Sequence, residues 1–306
     1  VLRLRLLALL LVPLLVVTAC SPGGRGAPSP GPEQAEVQVS GEAGQPPVLD
    51  YPRPFSITQP GSRLVWPGTG LALEDGGPVL LNLYAEDGRD GSVVQSTYLD
   101  APAWYTMSVA SLGRHLYDAL SGQRVGARLL FLEEDQGVPL VLVVDVLPTR
   151  ASGDEVTPAE GLPQVERDSA GRPHVRVPRD TPPPDDLVVQ PLVRGTGSQV
   201  EVGEVVTVRF TGVRWSDGEV FDTTWDSDDT PEAVQAVMIG IGQVVEGWDQ
   251  GLLEQTVGSQ VMLVVPPSLG YGGTSSPLQE ETLVYVVDIL DAHFQVTEEN
   301  QGEEEG

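Results

Sequence analysis

The segment VFDTTW, Val220 to Trp225, places a carboxylate between a phenylalanine and two threonines at the end of an alternating apolar run. An aspartate beside a large apolar ring is costly to desolvate unless it has a partner or a task. Upstream, VVQSTY, Val93 to Tyr98, repeats the form with glutamine in place of the aspartate. The correspondence is longer than these two segments. VLLNLY from Val79 matches VTVRFT from Val206, and Gly68-Thr69-Gly70 matches Gly195-Thr196-Gly197, at the same offset of 127 that separates Gln95 from Asp222. The offset then grows to 132 between VGARLLFL (from Val125) and VGSQVMLV (from Val257), and to 143 between PLVLVVDVL (from Pro139) and TLVYVVDIL (from Thr282). Similarity that keeps register through two insertions is an internal duplication.

Most matched pieces read as strands. VTVRF alternates Val206, Val208 and Phe210 with Thr207 and Arg209, and the later segments are rich in β-branched residues. Only VEGWDQGLLEQ reads as a helix, with Val245, Trp248 and Leu252 at spacings of three and four. Each copy is therefore expected to be an antiparallel β-sheet with one short α-helix, an α+β unit.

In order, VTVRFTG, DGEVFDTTW, GQVVEGWDQGL, VGSQVMLVVPPSLGYGG and TLVYVVDIL resemble the FKBP-type peptidyl-prolyl cis–trans isomerases, over about Asp185 to Asp291. The layout is similar to that of bacterial lipoproteins with tandem FKBP-like domains. The resemblance implies two FKBP-like units, each a sheet wrapped around its helix, and rotation of X–Pro bonds without cofactor or metal. It implies Trp248 as the floor under the proline ring, with Phe210, Phe221, Val244, Val245 and Tyr285 as walls. The Tyr271 hydroxyl and the Val245 backbone N–H would bind substrate carbonyls, and Asp222 would stand at the pocket edge. Macrolides of the rapamycin type become candidate ligands. Phe210 stands where the family usually has a tyrosine, and the stretch from Gly273 to Glu281 is shorter than the usual flap.

The first copy acts as an internal control. Phe210, Phe221, Trp248 and Tyr285 correspond to Leu83, Val94, Leu116 and Leu142, while Tyr271 has no counterpart. Every pocket aromatic is aliphatic there although the strand pattern survives, so the second copy is expected to keep a site that the first has lost. A different reading is a chaperone that grips proline-containing segments without turnover.

Composition bounds the rest. With 44 acidic and 17 basic side chains, the net charge of -27 argues against nucleic acid as a partner. Arg3 and Arg5, the apolar run from Leu6 to Val17 and the sole cysteine closing VTAC resemble a lipoprotein signal, with Cys20 as the lipidation site. An ordinary cleaved signal or a membrane anchor are the alternatives. The expected organisation is a signal peptide over 1–19, a flexible tether over 20–50, a degenerate FKBP-like domain over 51–149, a linker over 150–184, the isomerase domain over 185–294, and an acidic tail over 295–306. The linker holds short β-like pieces that could pack on a neighbouring domain. His115, His174 and His293 are scattered without metal-ligand or triad spacing, and surface positions are expected for them. Partners would be proline-containing exported polypeptides, at a lipid-anchored, extracytoplasmic site.

Overall fold

The computed structural model describes residues 34–225 and 233–295. The signal segment, Cys20, the first part of the tether and nearly all of the acidic tail lie outside the described residues. The chain forms β1 (Gln38–Ser40), β2 (Val48–Asp50), β3 (Gly61–Trp66), β4 (Pro78–Asp87), β5 (Val93–Ser96), β6 (Ala103–Thr106), α1 (Val109–Leu112), α2 (Arg114–Leu120), β7 (Arg128–Asp135) and β8 (Val138–Leu147). It continues with β9 (Asp154–Glu155), β10 (Gln164–Arg167), β11 (Pro173–Arg176), β12 (Val188–Arg194), β13 (Val205–Arg214), β14 (Val220–Thr223), β15 (Gln235–Met238), α3 (Glu246–Gly251), β16 (Gln260–Val265) and β17 (Leu283–His293).

The duplication is visible in the sheets. The first runs β3-β7-β8-β4-β5 with β6 also on β4, and the second runs β12-β16-β17-β13-β14 with β15 also on β13 and the linker's β9 added on the outer edge of β12. Even the register is shared. Ala85 pairs with Gln95 and Leu142, and its counterpart Gly212 pairs with Asp222 and Tyr285. Bulges follow Ala85 and Gly212 alike, and others lie between Leu64 and Trp66 and between Pro191 and Val193, while the second sheet has a further one between Thr207 and Val208 that the β4–β8 pair of the first lacks. The backbone N–H of Leu83 donates to Thr97 Oγ1 at 3.0 Å, as that of Phe210 does to Thr224 Oγ1 at 3.0 Å. The matched glycines are needed for close approach: a Cβ at Gly68 would meet Arg124 O at 2.3 Å, and one at Gly195 would meet Val257 O at 2.3 Å.

Sheet dominates, and the helices are shorter than the periodicity suggests. The expected helix through VEGWDQGLLEQ keeps only Glu246–Gly251, and the first unit has two short helices, broken at Gly113 (φ 74°). Gly247 and Gly251 set α3 hard against the second sheet, because a Cβ there would meet the Val265 and Leu263 side chains at 2.5 and 2.6 Å.

Both sheets are covered on two faces, which corrects the expected tether. Val37 and Leu49 are buried with Tyr51, Phe55, Leu130, Val141 and Val143, so the packed structure includes residues before Tyr51. The alternation of Val37 and Val39 in AEVQVS carried that signal inside a Pro/Gly-rich stretch. The linker's β10–β11 hairpin does pack on a domain: Leu162, Val165, Val175 and Val177 cover Val213, Trp215, Met262 and Val286.

The two units also touch. Leu80 and Leu147 of the first form one cluster with Leu290 of the second, joined by Trp104 and Val234. Arg209 lies 3.7 Å from the Trp225 ring centroid and 5.0 Å from that of Trp104. His293 contradicts the expected surface position: it is fully buried, its Nδ1 lies 2.7 Å from Asp291 Oδ2, and its ring meets Tyr98 edge-on at 5.4 Å. His115 and His174 are exposed as expected. The difference is burial at a domain contact, which local sequence does not encode.

Candidate functional site

The register of β13 gathers the site. Gly212 pairs with Asp222 on one side and Tyr285 on the other, so three neighbouring strands bring the carboxylate and the tyrosine together. A Cβ at Gly212 would lie 2.7 Å from Phe221 Cζ and 3.2 Å from Tyr285 Cε1. The missing side chain lets those rings meet edge-to-face, with centroids 5.6 Å apart. Phe210, two residues earlier and on the same face, meets Trp248 at 5.1 Å and 88°. Trp248 meets Tyr285 at 5.3 Å and 85°. These separations and angles are those that aromatic quadrupoles favour.

A cleft of about 500 Å³ opens among these rings, lined by Phe210, Asp222, Gln235, Gln243, Val244, Val245, Glu246, Trp248, Gly270, Tyr271, Thr274 and Tyr285. Of the residues expected at the site, Phe210, Asp222, Val244, Val245, Trp248, Tyr271 and Tyr285 line it directly. Phe221 stands behind, against Tyr285. Phe210, Trp248 and Tyr285 are buried, Tyr271 is half-buried and Asp222 is exposed at the rim. The Trp248 Nε1–H is buried without a hydrogen-bond partner among the described residues.

Burial holds the Tyr285 hydroxyl well above the usual tyrosine range, and the Tyr271 hydroxyl and the Asp222 carboxylate raise it further. It therefore stays protonated and neutral at physiological pH. Tyr271 is set by a tight turn: its carbonyl accepts from the Thr274 N–H at 3.1 Å and from Thr274 Oγ1 at 2.6 Å. No group of three His, Cys, Asp or Glu side chains that could hold a metal occurs among the described residues.

Sequence reasoning missed Gly212 and Asp249. Asp249 Oδ1 accepts from the Gly240 N–H at 2.8 Å, and Oδ2 accepts from the Gly242 N–H at 2.7 Å. One carboxylate in the first turn of α3 thus pins the loop that delivers Val244 and Val245. The signal was an acid one residue after the tryptophan, preceded by two glycines at alternate positions. Asp249→Ala is expected to free this loop and lower kcat/KM about five- to tenfold, since hydrogen bonds to a charged group are worth ~1.5–3 kcal/mol each and a mobile loop recovers part of that. The check pairs proline-peptide kinetics with amide NMR of Gly240 and Gly242; unshifted amides and an unchanged rate would remove Asp249 from the design.

The first copy retains a cleft of about 390 Å³ whose lining includes Leu112, Gly113, Arg114, Leu116 and Leu142. These are the counterparts of Val244, Val245, Glu246, Trp248 and Tyr285. The fold keeps the recess without the counterparts of Trp248 and Tyr285, while Phe131 and His115 also line it.

Comparison with known proteins agrees with this geometry. Residues 197–290 match the family model described as FKBP-type peptidyl-prolyl cis-trans isomerase. A probable FK506-binding protein of Corynebacterium glutamicum is 32% identical over 123 residues, covering 40% of this chain and 98% of the relative. An FK506-binding protein of Streptomyces anulatus is 36% identical over 126 residues, with the same shares of each chain. Among solved structures, the three FKBP domains of wheat FKBP73 align over 76% of this chain and 94% of theirs, with 19% identity and a TM-score of 0.32. FkpA from Escherichia coli aligns over 45% of this chain and 54% of its own, with 26% identity and a TM-score of 0.33. Scores of that size leave the relation resting on sequence, where it is strong. The chain belongs to the FKBP-type peptidyl-prolyl cis–trans isomerase family, and its second unit carries the isomerase domain.

Proposed function

We propose that the aromatic cleft of the second unit is where X–Pro bonds turn, and that each unit is an antiparallel sheet curved around its short helical segment. The observation that carries the site assignment is the set of rings closed around one recess with a carboxylate on its rim, all replaced in the duplicate. Rotating an X–Pro bond crosses a barrier of ~18–20 kcal/mol and takes tens of seconds or more unaided. No bond to a heavy atom breaks, so neither nucleophile nor metal is required.

The planar amide is charge-separated and well hydrated, and twisting removes its resonance. A dry floor of Trp248, Phe210 and Tyr285 disfavours the planar form relative to the twisted one. Tyr271 and the Val245 N–H hold the flanking carbonyls, and Asp222 orients the carbonyl that turns. Asp222→Gln, which installs the residue of the first copy, should lower kcat/KM about tenfold, a loss of ~1.4 kcal/mol in transition-state stabilisation, with peptide binding retained. A protease-coupled assay on the full chain decides this. An unimpaired variant would take Asp222 out of the mechanism.

The loss of the Trp248 and Tyr285 counterparts from the first unit's cleft, where Leu116 and Leu142 stand, favours a non-catalytic part for that unit, in spacing or in gripping client chains. A chaperone without turnover remains the rival for the whole protein; it requires peptide binding with no rate above background. Macrolides of the rapamycin type would compete for the aromatic cleft. The setting we propose is outside the cytoplasm, on exported polypeptides, with the protein held at the membrane by lipid on Cys20. Two or three acyl chains, at ~0.8 kcal/mol per buried CH₂, suffice to anchor it. Cys20→Ser should abolish lipid labelling and release the protein into the soluble fraction; an unlabelled wild type would end the lipoprotein reading.

A further inference from the structure

The walls of the aromatic cleft are apolar, but its rim has one sign. Its ionised side chains are Asp222, on β14, and Glu246, the first residue of α3, and no Arg, Lys or His lines it. Both are exposed. Among the described residues neither carboxylate is within ion-pair distance of a cation; Glu246 accepts only a hydrogen bond from Gln250 Nε2, at 2.8 Å. The tyrosines add no compensating charge. The fold does not require an acid at the second position, because the counterpart of Glu246 in the first copy is Arg114, beside the recess there.

We propose that this rim makes the isomerase selective for chains with a cationic residue immediately before the proline, and set against those with an acidic one. The inference rests on the aromatic cleft being the isomerase site. The residue before proline carries the carbonyl that turns, so its side chain leaves the cleft at the rim, where Asp222 and Glu246 stand. An arginine or lysine there meets two unpaired carboxylates, and a glutamate meets two like charges. Exposed charge pairs are individually weak, but attraction for one substrate and repulsion of the other act in the same direction on their ratio. The net charge of -27 raises the local concentration of cationic chains further. The expected ratio of kcat/KM between Arg-Pro and Glu-Pro peptides is about tenfold at low ionic strength. Screening should bring it close to one at 1 M salt, where the Debye length is about 3 Å.

The test uses the full chain and three otherwise identical proline peptides, with Arg, Leu or Glu before the proline, assayed by a protease-free exchange method at low and high salt. The Leu peptide reports isomerase activity independently of charge. Support is an order Arg > Leu > Glu that collapses with salt, with the Arg/Glu ratio falling about threefold in Glu246→Gln and further in Glu246→Arg. Equal rates on all three peptides would overturn the selectivity while leaving the isomerase reading intact. A preference that survives both high salt and Glu246→Arg would also overturn it, since the rim charge would then not be the cause. No turnover on any peptide would reject the isomerase site and this inference with it.

Discussion

Trp248→Leu is expected to cost the isomerase about two orders of magnitude in kcat/KM while leaving the chain folded. The indole touches Phe210 and Tyr285 edge-on and is only 5% exposed. Removing it takes away the floor on which a proline ring would rest and opens the recess to water, which rehydrates the planar amide. A hundredfold drop corresponds to ~2.7 kcal/mol, a size that one large aromatic surface and the exclusion of water can supply together. The stability cost should be smaller than for an enclosed tryptophan, because the ring bounds a cleft and its buried N–H has no hydrogen bond among the described residues to lose. The first copy carries Leu116 at this place, with the neighbouring helix position Leu120 fully buried as Leu252 is in the second. Circular dichroism, thermal unfolding and peptide titration separate the effects. Unfolding of the variant at room temperature would mean that the indole serves the core and not the site.

How much was legible follows from what each feature depends on. Strand identity and the duplication could be read because period-two alternation and matched offsets are local and repeated. The seven expected residues that line the cleft came from the family resemblance of the ordered motifs, to which the offsets added only that the first copy lacks those rings. The register that places Gly212 between Asp222 and Tyr285 is implied by the same offsets, yet its use was hidden: only the approach of the Phe221 and Tyr285 rings shows why that residue has no side chain. The Asp249 clamp depends on a loop folding back on its helix, and the acid after the tryptophan and the two alternate glycines before it signal such a clamp only once that fold-back is known. His293 was misplaced for the opposite reason. Its neighbours, Asp291 and Tyr98, lie in different units, and a polar residue buried at such a contact looks like any surface histidine in sequence. The packed residues before Tyr51 were masked by Pro and Gly around two very short strands, whose burial against the first sheet is a tertiary event.

Arg128→Met is the substitution expected to damage the fold most. Arg128 is fully buried on β7, and its Nη2 lies 2.6 Å from Asp145 Oδ2, with Nε on the other carboxylate oxygen. The same Nη2 donates to the Gln45 and Glu42 carbonyls at 2.9 and 3.3 Å, tying the β1–β2 segment to the first sheet, and the guanidinium lies 4.4 Å from the Trp66 ring centroid. Methionine replaces the stem and removes the charge, leaving Asp145 buried with, among the described side chains, only the Tyr98 hydroxyl, at 2.7 Å. Breaking a buried pair from one side costs ~3–5 kcal/mol, because the remaining charge is left without solvent or partner. The second copy shows a milder solution at the same positions. Gln260 Nε2 donates to Asp288 Oδ1 at 2.7 Å, while Arg167 from the linker donates to Gln260 Oε1 at 2.7 Å and the Ala151 N–H to Asp288 Oδ2 at 2.8 Å. Arg128→Gln should therefore destabilise less than Arg128→Met, yet not reach the wild type, since the first copy has no described equivalent of that linker arginine. Urea titration of the full chain would rank the three proteins by midpoint. Tyr98 joins Asp145 to His293 across the domain contact, so the damage in Arg128→Met should also lower the unfolding midpoint of the second unit, read from its aromatic signals. A shift below about 1 kcal/mol for Arg128→Met, or equal stability of the two variants, would show that the pair is solvated enough to be dispensable.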